Sequence, residues 1–288
     1  METKLRIAVQ SKGRLYDETM ELLGESGIRL TAVKRTLLVP ARNFPVELLF
    51  LRDDDIPESV ANGTADIGIV GLNEVLEKDK EVEIVKRLGF SRCHISLAIP
   101  QHIEYSGLSW FNGRKIATSY PGILDKFLRD NNIKADIHVI TGSVEIAPGI
   151  GLADAIFDIV SSGSTLVSNN LVEVENVLDS EAVLIKAAGN TLTATKQDTL
   201  DELLFRFNAV KAADGKKYIL MNVPKNKLDE VLSILPGIKS PTVLPLANAD
   251  WCSVHSVLEE KRLWEIVGRL KAAGAEGILA LDIEKMIL

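Results

Sequence analysis

Five consecutive small donors, Ser161-Ser162-Gly163-Ser164-Thr165, follow the apolar run Ala155–Val160 and precede helical residues that begin near Leu166. Strand, hydroxyl-rich loop and helix start are the parts of a phosphate cradle. Backbone N–H groups at a helix start point at the anion, and the positive end of the helix dipole favours it. Ser and Thr hydroxyls add donors, and Gly163 lets the backbone come close. A Ser/Gly/Thr turn before a helix is also an ordinary N-cap. The pattern alone leaves both readings open.

Asp158 interrupts the apolar run between Phe157 and Ile159. A strand carboxylate is costly to bury unless it meets a donor. Ribose hydroxyls are one such donor pair, and a capped turn is the alternative. Glu145 falls where a first helical turn is expected, and an acid there also suits the helix dipole. Asp154 by itself reads as a surface or structural residue. His94, His102, His138 and His255 form no acid–base constellation. Cys93 and Cys252 form no ligand cluster, so structural zinc and disulfides are not expected.

These residues need a frame that carries them to one end of a sheet. Strand patterns at Lys4–Val9, Val46–Leu51 and Ile67–Val70 alternate with helical ones at Arg14–Ser26 and Ile56–Ala61. This predicts an α/β unit with a mostly parallel sheet. The pattern restarts at Ile95–Ile99 and continues through Lys115–Thr118, helix Gly122–Asn131, Ile137–Ile140, Ala155–Val160 and Val172–Val177. Ala182–Ile185 and a helix from Thr195 to Ala212 return the chain to the first lobe. Residues 1–94 with 182–212 then form one lobe and 95–181 a second, with a cleft between them, where ligands are favoured. Residues 212–217 read as a linker. Beyond it the order βαββαβ over 213–288 is the ferredoxin-like pattern.

The chain has 288 residues, which at about 150 per domain suggests roughly two domains. Lys plus Arg is 33 against 40 Asp plus Glu, a net charge of −7. That argues against a general nucleic-acid binder, whose affinity comes from clustered cations. It leaves room for one small anion held by local groups. The N-terminus has no secretory pattern and no apolar run is long enough for a membrane span. The expected setting is cytoplasmic, with neither a nucleic-acid nor a membrane partner.

The spacing Glu145-x5-Gly151-x-Ala153-x2-Ile156-x-Asp158-Ile159-x2-Ser162-Gly163-x-Thr165-Leu166 resembles the signature of the ATP phosphoribosyltransferase family. Lys12-Gly13-Arg14-Leu15 after the first strand is similar to the family as well. So is the block from Arg52-Asp53-Asp54-Asp55-Ile56-Pro57 to Gly71. Ser240-Pro241-Thr242 and Asp250-Trp251 resemble the regulatory domain of the long form. The resemblance covers essentially the whole chain. It implies a two-lobed, periplasmic-binding-protein-like core with a C-terminal ferredoxin-like regulatory domain.

The implied activity is transfer of the phosphoribosyl group of phosphoribosyl pyrophosphate to N1 of ATP, with Mg²⁺, at the first step of histidine biosynthesis. L-Histidine is the implied inhibitor, and dimers assembling into a hexamer the implied state. Carried over residue by residue, Glu145, Asp158 and Lys12 take catalytic roles. Ser161, Ser162, Gly163, Ser164, Thr165, Arg14, Arg52 and Asp154 take substrate. Asn222, Ser240 and Thr242 match the effector pocket, with Asn222 standing where the family commonly has Asp. No metal ligands are assigned. One rival is a two-lobed solute-binding or ligand-sensing protein, since fold does not fix function. The other is a phosphoribosyltransferase of the group with an acidic pair in its phosphate loop, which Phe157-Asp158 disfavours.

Overall fold

The computed structural model describes residues 4–31, 36–161, 163–189, 191–235 and 240–288. The chain divides into two compact units. One holds the chain up to Gly24 with Ile28–Leu200, and the other Glu25–Gly27 with Asp201–Leu288. The second unit therefore takes in the latter part of a helix that the sequence reading gives to the first lobe.

In the first unit β1 (Leu5–Gln10) leads into α1 (Arg14–Glu25), and β2 (Leu38–Pro40) precedes β3 (Val46–Leu51). A short 3-10 turn at Asp53–Asp55 opens α2 (Ile56–Ala61). Then follow β4 (Ile67–Gly71), α3 (Leu72–Lys78) and β5 (Val82–Arg87). The chain crosses to a second lobe through β6 (Cys93–Pro100), β7 (Lys115–Thr118), α4 (Pro121–Asp130) and β8 (Asp136–Val139). β9 (Ala155–Val160), α5 (Ser164–Ser168) and β10 (Leu171–Ser180) complete that lobe. β11 (Ala182–Ala187) returns, and α6 (Ala194–Ala213) follows.

The first sheet runs β2-β3-β1-β4-β11-β5 and the second β10-β6-β9-β7-β8. The three strands from which a parallel sheet is expected, β1, β3 and β4, do pair in parallel, but each sheet as a whole is mixed. β1 pairs in parallel with β3 and β4, and β7 with β8 and β9. The strands at the crossings, β5, β6, β10 and β11, pair antiparallel. The reason is topological. A strand that returns from the other lobe arrives without the helical crossover that parallel pairing needs. β4 is buried along Ile67–Val70, as suits a central strand covered on both faces. α3 and β5 escape the sequence pattern because both mix charged and apolar residues without a clean period.

The second unit carries β12 (Lys216–Pro224), α7 (Leu228–Ile234), β13 (Thr242–Pro245), β14 (Trp251–Glu259), α8 (Leu263–Ala272) and β15 (Glu276–Asp282). The expected linker shrinks to Asp214-Gly215, since α6 runs to Ala213 and β12 starts at Lys216. The order β13-β14-β12-β15 is antiparallel throughout and is the ferredoxin-like arrangement. Met221 and Val254 pack with Val231 of α7 and Ile266 and Leu270 of α8 on one face. The Met286 N–H donates to Ala209 of α6 at 2.8 Å.

Candidate active site

A cleft of about 300 Å³ opens between the two lobes of the first unit. Gln10, Arg14, Asp53, Asn73 and Glu74 line it from the first lobe, and Ile159 and Ser161 from the second. Gln10 ends β1 and Ile159 is near the end of β9, so the cleft lies at the carboxyl ends of strands, where open α/β sheets bind ligands.

The loop after β9 is built from Ser161, Gly163 and α5. Ser162 lies outside the described residues. Helix starts at Ser164, earlier than expected, with Gly163 as N-cap at φ 73° and no side-chain cap bond. A Cβ on Gly163 would meet nothing within 4 Å. The demand for glycine there is thus conformational, because the left-handed region disfavours side chains. Ser161, Ser164 and Thr165 are exposed. With α5 only five residues long, anion binding would rest on N–H and hydroxyl donors more than on a macrodipole.

Asp158 sits on β9, on the side of Ile156 and Val160, which pack with Val144 and Ala147. That packing brings Glu145, in the 3-10 turn Val144–Ile146, into the field of Asp158. Burial lifts the Asp158 carboxyl to about 6. The Ile159 N–H, 2.8 Å from Oδ1, works against the rise, and the charge of Glu145 adds to it.

A buried polar group at the cleft has no counterpart among the residues expected from the sequence. Asn73, Glu74 and Tyr120 are each less than a tenth exposed. Asn73 Nδ2 donates to Glu74 Oε1 at 3.1 Å and to the Tyr120 hydroxyl at 3.4 Å, across the lobes. Burial lifts Glu74 to about 7, with the Asp53 charge adding to it. Burial also pushes the Tyr120 phenol up, followed by the charges of Glu74, Asp158 and Asp53. The available signal is a polar pair, Asn73-Glu74, one residue beyond the apolar strand β4.

Other assignments separate. Lys12 is exposed in the loop before α1 and does not line the cleft. Arg52 points to solvent and pairs with Asp54 at 3.1 Å, whereas its neighbour Asp53 faces the cleft and accepts from Gln10 at 3.3 Å. Asp154 is corrected to a structural residue. It accepts the Lys115 N–H at 2.8 Å and faces Arg114, at the start of β9 and roughly 20 Å along the strand from Ser161. Asp66 likewise accepts the Arg6 N–H at 2.8 Å and Lys196 Nζ at 2.7 Å. Among the histidines, His94 pairs with Glu173 at 2.9 Å, and His255 sits between Tyr218 and Ser253. Among the described residues no three His, Cys, Asp or Glu side chains form a metal-holding group, and no helix is long and apolar enough to cross a membrane.

In the second unit Asn222 and Thr242 are exposed. The ladder sets Asn222 opposite Ser253 and Thr242 opposite His255, on the sheet face away from α7 and α8. Ser240 is exposed just before β13, its hydroxyl donating to the Pro241 carbonyl.

Comparison with known proteins agrees in both units. A family model described as ATP phosphoribosyltransferase matches residues 52–209, and one described as HisG, C-terminal domain, matches residues 213–285. A protein of Bacteroides fragilis named ATP phosphoribosyltransferase is 68% identical over 284 residues, 99% of this chain and 100% of that protein. One of the same name from Bacteroides thetaiotaomicron is 66% identical over the same shares. Among solved structures, a chain of the ATP phosphoribosyl transferase (HisG:HisZ) complex from Thermotoga maritima is similar with TM-score 0.61 and 25% identity. The match covers 70% of this chain and 98% of that one.

Proposed function

The chain belongs to the ATP phosphoribosyltransferase family, and we propose that the cleft between its lobes is the reaction site. The protein transfers the phosphoribosyl group of phosphoribosyl pyrophosphate to N1 of ATP and releases pyrophosphate, the first step of L-histidine biosynthesis. The observation that carries the site assignment is the convergence of Arg14 from one lobe and Ser161 from the other on one cleft.

Loss of pyrophosphate builds positive charge on the ribose and negative charge on the leaving group. The Ser161–Thr165 loop holds the 5′-phosphate in this reading. Asp158 and Glu145 face the ribose, where a carboxylate stabilises the cationic ring. Arg14 takes the pyrophosphate side from the cleft wall, and Lys12, in the exposed loop just before α1, would join it from outside the lining. Adenine N1 already has a lone pair, so no base must generate the nucleophile, and catalysis rests on orientation and electrostatics. Arg52 drops out of the first contacts in favour of Asp53, and Asp154 drops out altogether.

Glu145 and Asp158 also suit Mg²⁺. They are hard oxygen donors whose mutual repulsion a cation relieves, and Mg²⁺ takes one or two carboxylates together with substrate phosphates. Bound Mg²⁺ would offset charge on the leaving pyrophosphate. The second unit is the regulatory domain in this reading. It takes L-histidine through Asn222, Ser240 and Thr242, and the chain assembles from dimers into a hexamer.

Mixing the protein with ATP, phosphoribosyl pyrophosphate and Mg²⁺ tests the reading at once. Turnover gives the ultraviolet change of N1-substituted adenine. Binding of either substrate without that change would favour the solute-binding alternative.

A further inference from the structure

Helix α4 opens without a cap of its own. Its N-cap residue, Tyr120, makes no side-chain cap bond, and a proline stands in the first turn. Pro121 has no N–H to offer. The donors at this end are the backbone N–H groups of Gly122 and Ile123. Both are taken by one carboxylate of the other lobe. Glu77 Oε1 accepts from Gly122 at 2.9 Å, and Oε2 accepts from Ile123 at 2.9 Å. This is the bond set that an N-cap Ser or Asp ordinarily makes within its own segment. Here it spans two lobes.

The neighbouring residues fit the same contact. A Cβ on Gly122 would lie 3.2 Å from the Glu77 backbone oxygen and 3.2 Å from Oε2. A side chain there would press α3 and α4 apart. Glu74 and Asn73 lie three and four positions before Glu77, on the same face of α3, and meet Tyr120. At its start α3 is tied to the return crossing. The Leu72 N–H donates to the Glu181 carbonyl at 3.0 Å and the Asn73 N–H to Ser180 Oγ at 3.1 Å.

We propose that Glu77 is a positioning residue for the transfer reaction: by capping α4 with both carboxylate oxygens, it sets how closely the Ser161–Thr165 loop approaches Arg14. The proposal rests on the reading of the cleft as the reaction site. Two oxygens are needed because two N–H groups face them. A glutamine would turn its NH₂ toward one of those donors. The negative charge also suits the positive end of α4.

The test compares Glu77→Ala, Glu77→Gln and Gly122→Ala in the full chain by steady-state kinetics, thermal melting and amide hydrogen exchange of the segment 121–124. In the Glu77 variants the Gly122 and Ile123 amides should exchange faster. In Glu77→Ala and Gly122→Ala, kcat should fall about tenfold or more. KM for phosphoribosyl pyrophosphate should change less than kcat, since the loop that holds its 5′-phosphate is intact and only its approach to Arg14 differs. Glu77→Gln should fall between wild type and Glu77→Ala. Gly122→Ala keeps the carboxylate, so it tests the lobe approach even where a Glu77 variant folds poorly. Unchanged kcat in Gly122→Ala and in folded Glu77→Ala overturns the proposal. So does a kcat loss that only follows the unfolded fraction. Failure of the cleft assignment shows elsewhere, as unchanged phosphoribosyl pyrophosphate affinity in Gly163→Val, whatever the Glu77 variants do.

Discussion

Arg14 Nη2 donates to the backbone carbonyl of Arg92 at 2.7 Å. Arg14 opens α1 and lines the cleft, while Arg92 lies in the segment that crosses to the second lobe. One turn further along α1, Glu18 accepts from Ser91 of the same crossing. The cation assigned to the pyrophosphate side is therefore already fixed against the crossing by one of its N–H groups. Its remaining donors stay available to an anion.

Arg14→Lys keeps the charge and loses this division of labour, because a compact ammonium cannot reproduce the planar fork. We expect kcat/KM for phosphoribosyl pyrophosphate to fall about tenfold or more, with the melting temperature nearly unchanged. Steady-state kinetics within about twofold of wild type would remove Arg14 from the substrate contacts.

Burial lifts the Asp158 carboxyl to about 6 in the ligand-free protein, so kcat/KM, which reports the free enzyme, should gain as pH rises through about 6, with the limb moving lower as Mg²⁺ occupies the carboxylates. Asp158→Asn should abolish that limb and lower kcat by about two orders of magnitude. Glu145→Gln removes a charge that lifts Asp158. The limb should then move to lower pH. A limb that stays in place in both variants would assign it to another group.

Glu74 gives a stability signature of definite sign. Burial, with Asp53 and Asp54, raises its carboxyl, while Lys78 and the Tyr120 hydroxyl oppose the rise. The folded protein thus holds this proton more tightly than the unfolded chain does. The stability it contributes is full at low pH and is lost as pH rises from 4.5 to about 7. Against Glu74→Gln, which stays neutral, wild type should lose on the order of 3 kcal/mol over that range. Denaturant melts at several pH values measure it, and parallel curves for the two proteins would contradict it.

Histidine control is tested on the full chain. Activity should fall in millimolar L-histidine, and Thr242→Ala should raise the concentration needed. Asn222→Asp should lower it, since a carboxylate pairs with the effector's amino group better than an amide does. No response of wild type at millimolar histidine would withdraw the regulatory reading of the C-terminal unit.

The legible part of the site was local. Asp158 stood out because it breaks an apolar run, and the Ser161–Thr165 loop because strand, loop and helix start are contiguous. What the sequence hid depends on pairing over distance. Asn73 meets Tyr120 at a separation of 47 residues, and Glu77 meets Gly122 at 45. No period marks such partners. Direction was the other gap. Arg52 and Asp53 are adjacent, yet one faces solvent and the other the cleft. Asp154 and Ser161 belong to one motif, but the six-residue strand between them sends them to opposite ends of a sheet. Likewise the mixed sheets follow from the two crossings, which strand patterns alone do not orient.

In the proposed reaction the Ser161–Thr165 loop cradles the phosphate of phosphoribosyl pyrophosphate. Titration calorimetry of this ligand on wild type, Gly163→Val and Thr165→Ala tests it most directly. Valine is strained at φ 73° and should deform the cradle, while alanine removes one hydroxyl donor. Affinity should fall at least about tenfold with the first change and severalfold with the second, with both proteins folded. Wild-type affinity in both variants would contradict it.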